Sequence, residues 1–193
     1  MADNEAIEIR VERVSQLFNM LDPFPFRDRD LDADAEAFIV DWARELPPGD
    51  PIHIIVHLPA AEAGTREAQG LADALTHAFA SRASALSAEL RELFRIGRLS
   101  LVIGCGVLAL CLALARVVGE MAGRENIAGF AAEGLLILGW VALWRPMEIF
   151  LYDWWPIARQ RRLFRRLAAA DVAVRATRPG EAAQPMHAPP FPA

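Results

Sequence analysis

The chain has 193 residues, 54% of them apolar, and its 25 acidic and 20 basic side chains give a net charge of −5. This acidic balance argues against nucleic acid as a partner, because phosphate backbones are bound by positively charged domains. The charge is also uneven. Residues 1–64 carry 14 acidic and 5 basic side chains, a net of −9, whereas residues 145–178 carry 8 arginines and 3 acidic side chains, a net of +5.

The N-terminal region, residues 1–64, has the pattern of a small α/β unit. Apolar residues alternate with polar ones over 6–12 (AIEIRVE) and 52–58 (IHIIVHL), as in strands buried on one face. A helix is expected to begin at 31–34, where acidic side chains suit its positive end, and to stop at the prolines and glycine of 47–49. The residues expected on its buried side are Phe38, Ile39 and Trp42.

Residues 65–98 are predicted to form an amphipathic helix that leads to the membrane. Large apolar residues recur in this segment at steps of three and four, and it contains no proline. We expect the helix to continue without interruption into the apolar segment that follows, giving a single helix of about 50 residues.

Two apolar segments, 99–118 and 127–144, follow this helix, and residues 119–126 connect them. As helices, both segments approach the roughly 30 Å thickness of the hydrocarbon core of a bilayer. Each contains a single charged residue, Arg116 in the first and Glu133 in the second. We therefore predict a transmembrane hairpin with an external connection, the alternative being a buried hairpin in a soluble helical domain.

The arginines predict the orientation of this hairpin. Three of them stand just before the first segment and six follow the second, whereas residues 116–126, from the end of the first segment through the connection, have no net charge. Because positive residues are retained on the cytoplasmic side, both termini are expected in the cytoplasm. The acidic N-terminus has no apolar stretch, so no cleaved signal peptide is expected. In a bacterium, the chain would be a two-span protein of the inner membrane.

Residues 145–177 are predicted to contain an interfacial basic helix and a strand, and residues 178–193, with five prolines, a disordered tail. The alternation over 171–177 (DVAVRAT) predicts a third strand that returns to the N-terminal sheet. The predicted fold class is thus an α+β membrane protein, a two-helix transmembrane hairpin with a small α/β cytoplasmic domain that receives its third strand after the hairpin.

The basic run, residues 159–166 (RQRRLFRR), is the first candidate binding site. Arginines beyond a membrane exit attract anionic lipid headgroups at about 1 kcal/mol each, and Phe164 can insert its ring at the interface. A competing partner is the acidic N-terminal region, and a third interpretation is that these arginines only fix the orientation. The arginines of the run are Arg159, Arg161, Arg162, Arg165 and Arg166.

An intramembrane polar pair, Arg116 with Glu133, is the second candidate site. An unpaired carboxylate in hydrocarbon costs a few kcal/mol, so Glu133 should be protonated, hydrated or paired with Arg116, which lies at a comparable depth.

Small residues in the two apolar segments would let helices approach closely, within one hairpin or between two. They are Ser100, Gly104, Cys111 and Ala115 in the first segment, and Ala131, Gly134, Gly139 and Ala142 in the second.

No motif in the chain names a reaction. The aspartates of 28–34 alternate as in a calcium loop, but the sixth and twelfth positions hold Ala33 and Ile39 instead of Gly and Glu, which favours helix capping. His53 and His57 would lie about 13 Å apart on a strand, too far to share a metal. Cysteines 105 and 111 point in different directions on one helix and are expected to be packing residues. We therefore expect no catalytic residue, metal or cofactor.

These patterns favour a membrane-anchored binding or assembly module, a scaffold or adaptor, over an enzyme. The expected partners are anionic lipid headgroups and either a second copy of the chain or another membrane protein. The first alternative is a small oligomeric transporter or channel component that uses Glu133. The second is an enzyme at the cytoplasmic face that uses the aspartates of 28–34.

Overall fold

The computed structural model describes residues 6–19, 22–47, 49–121 and 126–177. The predicted disordered tail at 178–193 lies outside them. The chain divides into two compact units, the first made of Met1–Arg82 with Leu163–Ala193 and the second of Ala83–Arg162. The strands are β1 (Ile7–Arg10), β2 (His53–Pro59) and β3 (Asp171–Thr177). The α-helices are α1 (Ala33–Glu45), α2 (Ala60–Ala63), α3 (Arg66–Met121), α4 (Asn126–Ala142), α5 (Trp144–Glu148) and α6 (Trp154–Ala168), with a π-helical turn at Ile149–Asp153.

The three strands form one parallel sheet in the order β1-β2-β3. Ile7 of β1 is opposite Ile54 of β2, which in turn is opposite Val172 of β3. The predicted third strand at 171–177 is therefore confirmed. The first strand is shorter than predicted, although the amide of Val11 still donates to the carbonyl of His57 at 3.2 Å. In the sequence, α1 connects β1 to β2, and α2 to α6 together connect β2 to β3.

One face of the sheet forms the core of the first unit. Ile7 and Ile9 of β1 are buried, whereas Glu8 and Arg10, which alternate with them, are exposed. The helices contribute apolar side chains to the same core, and the rings of Phe79 and Phe164 lie 6.2 Å apart. Other buried residues of this unit are Ile39, Val40, Ala43, Ile54, Val56, Leu58, Leu71, Leu75 and Leu167.

Helix α1 begins at Ala33, within the range 31–34 where acidic side chains predicted its start. The Asp32 side chain caps the helix by accepting a hydrogen bond from the amide of Asp34 at 3.0 Å. The expected burial of Phe38 and Trp42 is wrong, because both are half-buried and the covered positions are Ile39, Val40 and Ala43. The centre of the buried stripe of α1 is therefore rotated by part of a helical turn from the predicted one. The two aromatic rings lie 6.2 Å apart, on the flank of this stripe.

In the second unit, α3 and α4 form an antiparallel hairpin through small residues. Gly104 lies against the backbone of Ala142, and Gly139 lies against Leu108 and Cys111. Four residues of the predicted small-residue set, Gly104, Cys111, Gly139 and Ala142, therefore lie at the contact between the two helices of one hairpin. Gly134 is not among them, since nothing lies within 4 Å of the position its Cβ would occupy.

Two helical stretches, Arg66–Glu120 and Gly129–Ala168, are long and apolar enough to span a membrane. Within the most apolar 18-residue segment of each stretch, only 11% and 17% is buried within the protein. Val102, Ile137 and Val141 of these two stretches are each more than half exposed.

Candidate functional site

The basic run occupies the C-terminal part of α6, an amphipathic helix. Arg159, Arg162 and Arg165 are exposed, and the other two arginines of the run are half-buried. Phe164 and Leu167, by contrast, are 3% and 0% exposed. The expectation that Phe164 enters the membrane interface is therefore wrong, because its ring completes the core of the first unit.

Arg166 connects α6 to the turn that precedes β2. Its Nη2 atom donates to the backbone carbonyls of Pro47 and Asp50, at 2.9 and 3.1 Å. The contact thus reaches the acidic N-terminal region, but through main-chain oxygens and not through carboxylates. Within the described ranges, the other four arginines of the run form no ion pair, and the Nε atom of Arg161 is buried without a hydrogen-bond partner.

We predict that Arg166→Ala destabilises the first unit by about 1–2 kcal/mol, since hydrogen bonds from a charged donor contribute more than neutral ones. The matched control is Arg165→Ala, which removes an exposed arginine of the same helix and should cost less than about 0.5 kcal/mol. Urea unfolding in mild detergent, followed by Trp42 fluorescence with the other tryptophans replaced by phenylalanine, measures the difference. Equal stability of the two variants would contradict a structural role for Arg166.

A second group of arginines lies on α3, directly before its apolar part. Arg91, Arg95 and Arg98 are exposed and line an open groove of about 540 Å³. The remaining residues that line the groove are Ala88, Glu92 and Phe94. Arg95 contacts Glu92 at 2.9 Å, and both side chains are more than half exposed. The groove therefore combines three cationic side chains with one acidic side chain.

Aromatic rings accompany these arginines in the second unit. The ring of Phe94 lies 6.2 Å from Phe150 and 6.5 Å from Trp154, whose indole donates to the carbonyl of Phe150 at 2.9 Å. Tyr152 and Trp155 are 69% and 64% exposed. Exposed Trp and Tyr beside arginines are typical of the water–hydrocarbon boundary.

The structure does not join Arg116 and Glu133 in an ion pair. The contacts at Gly104 and Gly139 fix the alignment of α3 and α4, and this alignment brings the two charged residues to the same level of the hairpin. Both side chains are nevertheless exposed, and among the described residues neither has a charged partner within 4.0 Å. Each follows directly on a half-buried alanine, so it is rotated by about 100° from the interhelical contact.

Aspartates of residues 22–34, the acidic segment before and at the start of α1, have structural contacts. The carboxylate of Asp22 accepts the amides of Asp30 and Phe24, at 2.8 and 3.0 Å, and these hydrogen bonds hold the pKa of Asp22 below its usual value. A lowered pKa in the folded chain means that this stabilisation is present at neutral pH and is lost as the pH falls through the lowered value. Asp32 caps α1, as described above. These aspartates thus order the segment that leads into α1.

A small cleft lies beside the carboxyl end of β1, the end at which parallel sheets usually bind ligands. Its volume is about 200 Å³, and its charged residues are Arg10, Asp32 and Asp34. Asp32 caps α1, which leaves Arg10 and Asp34 as the other charged side chains of the cleft. Within the ranges that the structure describes, no group of three or more His, Cys, Asp or Glu residues is placed to hold a metal ion.

Strand pairing also creates two contacts between a histidine and a carboxylate on neighbouring strands. His57 Nε2 lies 3.4 Å from Glu8 Oε2, and His53 Nδ1 lies 3.3 Å from Asp171 Oδ2. The alternating pattern placed both histidines on the same face of one strand, but their partners depend on the register with β1 and β3.

No protein-family model, curated protein or solved structure matches the chain.

Proposed function

We propose that the protein is a membrane-anchored binding or assembly module, in which a two-helix hairpin holds a small α/β domain at the cytoplasmic face. The observation that carries this proposal is the pairing of β2 with β3. These two strands lie on opposite sides of the apolar helices in the sequence, yet they are hydrogen-bonded neighbours in one sheet. Strands of one sheet lie on the same side of a membrane, so the hairpin between them must cross it an even number of times.

The location in a membrane is supported by the exposed apolar surface of α3 and α4. Large apolar residues such as Val102, Leu110, Ile137 and Val141 are exposed along both helices, whereas monomeric soluble proteins rarely expose large contiguous apolar patches. Arginines precede the apolar part of α3 and follow the end of α4. They favour a cytoplasmic location for both termini. In a bacterium this orientation corresponds to a two-span protein of the inner membrane.

A binding role is supported by what the domain leaves exposed. Arg159, Arg162 and Arg165 of the basic run are free to attract anionic headgroups. The outer faces of the hairpin are free to contact a second copy or another membrane protein. Among the aspartates of residues 22–34, Asp22 orders the loop before α1, Asp32 caps α1, and Asp28 lies 3.6 Å from His77 of α3. These contacts are structural, so we do not propose an enzyme.

The orientation is tested by thiol labelling of single-cysteine variants in bacterial spheroplasts, after Cys105 and Cys111 have been replaced by alanine. A cysteine at Gly123, in the connection, should react with an impermeant maleimide. Cysteines at Ala61 and Ala169, which are exposed and lie before and after the hairpin, should react only after the cells are lysed. Labelling of just one of these two sites in intact spheroplasts would contradict the shared sheet, and labelling of both would reverse the orientation.

A second candidate function is that of an oligomeric transport component, and it is favoured by Glu133, which is exposed and has no charged partner among the described residues. A carboxylate on an apolar helix surface is stabilised by protonation, by water or by a neighbouring subunit, and such residues are common in ion pathways. On this hypothesis, proteoliposomes with the wild-type chain conduct protons and those with Glu133→Gln do not, as reported by an enclosed pH dye. The control is Glu120→Gln, near the end of α3. Absence of proton flux in the wild type would leave the binding module as the sole proposal.

A further inference from the structure

We infer that Arg91, Arg95 and Arg98 of α3 form a binding site for the phosphate-bearing headgroup of an anionic phospholipid. The inference rests on the proposed membrane insertion and adds a ligand class and the residues that bind it. Because the three arginines are spaced by four and three positions, they lie on one face of the helix over two turns. All three are exposed and line the same groove.

Little within the protein competes for these guanidinium groups. The Arg95–Glu92 contact joins side chains that are 74% and 51% exposed, and such surface pairs contribute little. Arg91 and Arg98 have no ion-pair partner in the part of the chain that the structure describes. The groove therefore offers positive charge to an external anion.

The position of the groove along α3 suits a headgroup. Arg98 is followed at once by Leu99, which is 63% exposed and begins the apolar surface. Phe94 lines the groove and lies next to Trp154, an aromatic residue of the kind that occupies the membrane interface. A lipid phosphate lies at the same boundary, and guanidinium groups bind phosphate oxygens through paired hydrogen bonds.

The test uses the full chain in phosphatidylcholine nanodiscs, with Trp154 as the sole tryptophan. Quenching of its fluorescence by brominated phosphatidylglycerol, relative to brominated phosphatidylcholine, gives the preference for the anionic lipid. Arg91→Gln, Arg95→Gln and Arg98→Gln together should lower this preference roughly tenfold or more. The control combines Arg27→Gln, Arg66→Gln and Arg175→Gln, which remove the same charge from exposed positions outside the groove, and should leave the preference unchanged.

A second variant covers the case in which the glutamine variant does not fold. Arg91→Lys, Arg95→Lys and Arg98→Lys together retain the charge but lose the planar fork, so the preference should fall a few-fold. A wild-type preference in the lysine variant would overturn the site. So would an unchanged preference in the glutamine variant, or an equal fall in the control. None of these results would alter the thiol-labelling pattern, so failure of this inference is distinguishable from failure of the proposed function.

Discussion

Replacing Ala173 by proline is expected to destabilise the first unit by about 3 kcal/mol or more, because it disrupts the strand that follows the hairpin. The amide of Asp171 donates to the carbonyl of Ile52 at 3.0 Å. Since amides alternate in direction along a strand, the amide of Ala173 also faces β2. Proline removes this donor and places its ring against the neighbouring strand.

The matched control is Ala176→Pro, three residues further along β3. Ala176 is exposed like Ala173, but its amide faces the free edge of the sheet, where proline is tolerated. We expect a cost below about 1 kcal/mol for this variant. Urea unfolding reported by Trp42 compares the two. Similar unfolding midpoints would show that β3 contributes little to the sheet, and would remove the observation on which the proposed topology rests.

The sequence predicted much of the sheet because its strands follow a simple alternation. β2 and β3 each present side chains to two different environments, and this difference is visible as a period of two in residues 53–59 and 171–177. The return of the third strand was predicted by the same pattern. The start of α1 was also predictable, because an aspartate cap is a local interaction within three residues.

Interactions between distant segments were not predictable in the same way. Arg166 binds main-chain carbonyls, and a main-chain oxygen has no signature in the sequence that would identify it as a partner. The basic run therefore looked uniform, although its members differ in burial and contacts. Phe164 was misassigned for a related reason. An aromatic residue among arginines suits both a membrane interface and a domain core, and only the position of Phe79 distinguishes them.

The small residues of the hairpin were predicted as a set, but the sequence did not divide the set between contact and non-contact positions. Gly104 and Gly139 lie at the interhelical contact, whereas Gly106 and Gly134 have nothing within 4 Å of their Cβ positions. Glycines two and five residues apart on one helix point in different directions, so the pairing of the helices decides which of them matter.

Gly104→Ala is expected to destabilise the hairpin by about 1–3 kcal/mol, although alanine is normally the better helix former. A Cβ atom at this position would lie 2.7 Å from the carbonyl oxygen of Ala142 and 3.0 Å from a methyl group of Leu143. The nearest atom belongs to the backbone of α4, so it cannot move aside by a change of rotamer. The two helices would have to separate, which would reduce the packing that holds helices together in lipid.

Gly106→Ala is the matched control on the same helix. Its new methyl group would meet open space, so we expect it to be neutral or to stabilise α3 by up to about 1 kcal/mol. Titration from mild detergent into SDS, followed by far-UV circular dichroism, measures the stability of the hairpin in each variant. Opposite signs for the two substitutions are expected. The same sign and size at both positions would show that the helices do not approach each other at Gly104, and that the small residues have another role.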